Sequence, residues 1–116
     1  MDEDRFLTLL QDAIRYNQLE RYFSGGADSL EKATSPFDIR PDVAAIRADL
    51  NDPGGLKLSH AQRRMLMVLV ALWEERAADE LFAEGLGSLA RLIQSMDRSN
   101  RKMLAEIILI YRGWGE

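Results

Sequence analysis

Ser59 and His60 stand side by side, and a hydroxyl next to the chain's one imidazole is the smallest grouping that could do nucleophilic chemistry. Neighbouring positions on a helix point in different directions, so the two side chains do not form a hydrogen-bonded dyad. Ser59 followed by Gln62, just ahead of an apolar run, is instead the pattern of a helix start in which each side chain satisfies the other's backbone N–H. A carboxylate-bridged di-metal bundle requires repeated Glu-x-x-His pairs, and the single histidine has no acid three residues before it. No catalytic residue, metal ligand or cofactor site is therefore expected.

Carboxylates three apart on a helix can hold magnesium for hydrolysis of a phosphate ester, and two such pairs occur, Asp28 with Glu31 and Asp49 with Asp52. One falls in an expected loop and the other straddles a helix end, where Asp serves as a cap or turn residue. A metal-dependent nucleotide or phosphate-ester hydrolase is the third-ranked reading. Glu74, Glu75, Asp79, Glu80 and Glu84 read as a solvated acidic face partnered by residues such as Arg76. Gly25-Gly26 and Gly54-Gly55 follow expected helices and precede no Lys-Ser/Thr pair, so they end helices and cradle no phosphate.

Arg63, Arg64, Arg98, Arg101 and Lys102 all lie near expected helix starts, where cations oppose the helix dipole and an external anion would relieve them. They carry the second reading, a nucleic-acid-associated regulator. Against it stand a net charge of −4 and no aromatic residues interleaved with the basic ones. The leading reading comes from an excess of apolar side chains. Leu109 is opposite the inward face of the last helix, Tyr16 and Phe23 are off the main face of the first, and Phe82 sits in an acidic segment. Trp114 lies between two glycines near the chain end. A small domain has limited interior, and these five are the candidates for contact with a protein partner or a second copy.

The elements that must position these residues are helices. Apolar spacing predicts a first helix from Asp2 to about Phe23, kinked near Asn17 or buried on two faces. A loop with one helical turn follows over Ala27 to Pro36, then a helix over Asp38 to Leu50 with Pro41 in its first turn. Met65 to Trp73 are nine consecutive apolar residues, which predict a helix over about 60–76 through the middle of the fold. Ser88 starts a helix with Leu89, Ile93 and Met96 inward, and Asp97 caps a last helix from about Arg98 to Arg112. Met103, Leu104, Ile107, Ile108, Ile110, Tyr111 and Trp114 form its broad apolar face.

Composition agrees with this plan. The 116 residues are 47% hydrophobic and 29% charged, the make-up of one globular domain, and the expected fold is an all-α compact bundle of about five helices. There is no cysteine, which excludes disulfides, thiolate nucleophiles and thiolate metal sites. Residues 1–55 hold 11 acidic and 6 basic side chains and residues 56–116 hold 8 and 9, so only the second half can carry a basic patch. The acidic start Asp2-Glu3-Asp4 is unlike a signal peptide and no apolar run has the length of a membrane span, so a cytoplasmic location without membrane contact is expected. Together these give a non-catalytic helical interaction module in a small regulatory or accessory role, with a homo-oligomer as one form.

Overall fold

Asp2 accepts from the backbone N–H of Arg5, and Glu3 and Asp4 face the positive end of the helix dipole; these three acids start α1, Glu3–Tyr16. The computed structural model describes residues 2–82, 85 and 87–111, with the side chain of Glu75 excepted. α1 ends at Tyr16, seven residues before Phe23, where its apolar pattern ends. Leu19 N–H donates to Ile14 C=O and Gln18 N–H to Arg15 C=O, the two bonds of a Schellman C-cap, with Gln18 in the left-handed region at φ 58°. Leu19 is buried beside Ile14, the apolar contact that accompanies this motif. The chain thus turns at Asn17-Gln18, and of the off-face residues of the predicted long helix Leu19 and Phe23 enter the core by another route while Tyr16 stays exposed.

A 3-10 turn over Glu20–Tyr22 leads to Phe23, which forms an isolated antiparallel bridge with Pro41. The expected loop after it is mostly helix: α2 spans Gly26–Lys32. Gly25 precedes it at φ 85°, and a Cβ there would lie 1.8 Å from Ser29 Oγ, so only glycine fits. A second 3-10 turn over Pro36–Asp38 is closed by a Ser35/Asp38 capping box. α3, Val43–Asn51, then starts on Asp42, later than its sequence pattern begins because the chain first crosses Phe23.

α4 spans His60–Trp73, with the Ser59/Gln62 capping box formed in both directions at 3.2 and 2.8 Å. Met65 to Val70 are all buried, which makes α4 the central helix. It stops sooner than expected. Glu74 is extended at φ −153°, serving as C-cap of α4 and N-cap of α5, Glu75–Leu81. No glycine or proline marks this break; α5 instead folds back on α4 and places Ala78 and Phe82 in the core. One carbonyl left open at the end of α4, that of Leu72, accepts from Tyr111 Oη at 3.0 Å.

α6, Leu89–Ser95, is capped by Ser88, and α7, Arg98–Ile110, by Asp97. The inward residues of α6 are Leu92 and Met96; Leu89 and Ile93, expected inward, are exposed. The all-α class stands, with seven α-helices among the described residues where about five were expected, because the expected loop after the first helix holds α2 and the break at Glu74 sets α5 apart from α4. Their apolar faces meet in one core cluster running from Phe6 to Ile107. Among the described residues no helix is long and apolar enough to cross a membrane.

Candidate functional site

α7 is held against α1 by polar contacts at its start. Asn17 and Asn100, both buried, exchange amide hydrogen bonds of 2.8 and 2.9 Å, and Asn17 Nδ2 also donates to Ala13 C=O. Asn17 C=O accepts from Gln62 Nε2 of α4, so one residue joins three helices. Beside it Tyr16 donates its phenol to the Asp97 carboxylate, which also caps Asn100 N–H.

The Tyr16 hydrogen bond holds the Asp97 carboxyl below the usual carboxylate range, aided by its bonds to Asn100 and opposed by partial desolvation. A carboxyl with a lowered folded pKa contributes stability above its unfolded pKa and loses that contribution as pH falls through the folded one. Urea midpoints measured from neutral pH downward should therefore fall more steeply below about pH 4 in the native chain than in Tyr16→Phe. Parallel acid limbs would remove the Tyr16–Asp97 bond from this role.

With Asn100 and Ile107 inward, the opposite face of α7 presents Arg98, Arg101, Lys102, Ala105, Ile108 and Leu109, all exposed. Ile108 is 67% and Leu109 80% exposed, the first contrary to the broad inward face read from the sequence. Arg101 is fixed at one edge, where its Nε donates to the carbonyls of Ile93 and Met96 at 3.0 Å each. That contact brings the exposed Ile93 of α6 next to α7. At the other edge a groove of about 390 Å³ runs between α1 and α7. Tyr16 and Lys102 both line it, together with Asp12, Arg15 and Glu106.

The two sets of sequence candidates are thus regrouped. Tyr16 and Leu109, proposed for protein contact, share the α7 side with Arg98, Arg101 and Lys102, proposed for an anion. Phe23 and Phe82 are 3% and 1% exposed and offer no surface: Phe23 is covered by the bridge to Pro41, and Phe82 is carried inward by the turn at Glu74. Arg63 lies over the Phe82 ring at 5.3 Å, and Arg64 donates to Gly85 C=O at 3.3 Å, so neither joins the α7 cations. Trp73 meets Phe37 edge-on at 6.4 Å and Arg40 at 5.6 Å. Trp114 and Glu84 lie outside the described residues.

Asp49 and Asp52, the pair weighed for magnesium, line a polar cleft of about 380 Å³ whose other members, Gln18, Arg21, Tyr22, Lys57 and Gln62, the sequence did not connect to them. Its central charge is matched internally: Asp49 pairs with Arg21 at 3.0 Å and accepts from Tyr22 Oη at 2.7 Å. Burial, then the Asp49 carboxylate, push the Tyr22 phenol up to about 12, so it remains a protonated donor. Gln62 is likewise consumed by Ser59 and Asn17. These groups brace the first 3-10 turn against α3. Asp28 and Glu31 are exposed on α2, His60 is exposed at the start of α4, and among the described residues no three His, Cys, Asp or Glu side chains are grouped to hold a metal ion. Comparison with protein-family models, with curated proteins and with solved structures found no match.

Proposed function

We propose that this chain is a non-catalytic helical module that acts by protein–protein contact through the outer face of α7, with a foreign protein or a second copy as its partner. The observation that carries this reading is the pair Ile108 and Leu109, neighbouring large aliphatic side chains left 67% and 80% exposed on a helix whose other side is docked in the core. On a regular, well-anchored helix Ile108 and Leu109 flank the outer face, with Ala105 between them in projection, and exposed large aliphatics so fixed are of the kind partners cover.

Leu109→Asp tests it. The substitution lies outside the core, so folding stability should stay within about 0.5 kcal/mol of the native chain. Light scattering over a concentration series, and a photo-crosslinker placed at Ala105 during native expression, should register self-association or a crosslinked protein that Leu109→Asp abolishes. A native chain that stays monomeric and crosslinks to nothing sinks the reading.

A nucleic-acid-associated regulator is the second reading, favoured by Arg98, Arg101 and Lys102 sharing one exposed face. It requires binding that falls steeply with salt and with removal of these three charges.

A further inference from the structure

We infer that the partner of the α7 face is an acidic amphipathic helix, with carboxylates abreast of Arg98, Arg101 and Lys102 and apolar side chains over Ala105, Ile108 and Leu109. The inference rests on the protein-contact reading and narrows it. At ~100° per residue the six positions fall within an arc of ~120°, opposite the buried Asn100 and Ile107. They are also sorted lengthwise. The cations occupy the first turns and the aliphatics the last, with centres ~12 Å apart at the helical rise. Ala105 between them leaves a shallow saddle where a second backbone can approach.

The cations are placed against their own helix. They sit at the N-terminal end of α7, where positive charge is unfavourable, and the Asp97 carboxylate, which caps Asn100 N–H and accepts from Tyr16, sets one negative charge beside three positive ones. Arg101 uses only Nε to hold α6, which keeps its Nη donors for the bidentate grip that a carboxylate accepts. Lys102 borders the groove toward α1, where Asp12 and Glu106 face Arg15, so the crest charge away from those acids is that of Arg98 and Arg101.

Two other occupants fit less well. Packing α7 on α7 of a second copy sets cations against cations when parallel, and cations against Ile108 and Leu109 when antiparallel; neither supplies a carboxylate. An anionic lipid surface would gain only two large aliphatics from the crest and would meet a chain of net charge −4 with Asp2, Glu3 and Asp4 exposed.

The test uses a capped synthetic helix with a heptad leucine stripe and glutamates flanking its first turns, its glutamine counterpart, and phosphatidylglycerol/phosphatidylcholine vesicles, each titrated against the full chain. The glutamate helix should bind, about tenfold more weakly after glutamine replacement, after Lys102→Glu, after Leu109→Asp, or in high salt. A lysine-bearing helix should recover binding to Lys102→Glu, which separates charge recognition from misfolding. Equal binding of the glutamine helix overturns the acidic partner and leaves protein contact standing. So does a native chain that ignores both helices yet self-associates through Leu109. Binding to vesicles that the glutamate helix does not displace overturns it in favour of lipid. No helix binding, no crosslinked protein and no self-association overturn both readings together.

Discussion

Asn17→Leu is expected to destabilise the fold by about 2–5 kcal/mol, since it strands both amide groups of buried Asn100 without partners, each costing about 1–3 kcal/mol. Asn17→Leu with Asn100→Leu should recover much of that loss, because removing both partners leaves no orphaned donor or acceptor. A double-mutant cycle on urea midpoints then reports the coupling directly. Two equal, additive losses would mean that each amide is satisfied independently. The recovered double variant should differ from the native chain in another respect. The reciprocal amide pair fixes one register of α7 on α1, and two leucines do not, so α7 amides should lose hydrogen-exchange protection even where the midpoint is restored.

Asn17 also marks how far the sequence can be read. A polar residue on an apolar helical face announces an interaction and not its partner, and Asn100 is 83 residues away, beyond any local periodicity. Local signals served well. Ser59 with Gln62, Ser88 and Asp97 all cap the helices they were expected to start, because capping is decided by side chains within three residues of the backbone they bind. Breaks without the usual punctuation were harder to read. The two apolar directions of the first segment pointed to a disruption near Asn17, where Gln18 takes a left-handed cap position that glycine commonly marks, whereas the extended Glu74 inside an otherwise helical run left no local sign. The exposed crest was half legible. Leu109 stands opposite the inward face on any helical wheel, whereas Ile108 is outward only because Ile107 and Asn100 set the rotation of α7. The cations and aliphatics of α7 were read as two separate sites, since spacing alone does not say which flank a helix docks.

Phe82 shows what that rotation of elements costs a surface argument. In sequence it is an aromatic residue in an acidic segment and resembles a partner contact; in the fold it is 1% exposed, at the end of α5 under the guanidinium of Arg63. Phe82→Ala should therefore destabilise the chain by about 3–5 kcal/mol through lost burial and the cavity left behind, read as a lower urea midpoint with α4 and α5 amides exchanging faster. The Arg63 guanidinium above the ring is a cation–π contact worth about 0.5–1 kcal/mol, a small part of what the buried ring itself contributes. Leu109→Asp, a harsher change in polarity, should leave the midpoint nearly unmoved. The contrast separates interior from interface: a Phe82→Ala chain as stable as the native one would return Phe82 to the surface, and with it the turn at Glu74 that carries α5 back onto α4.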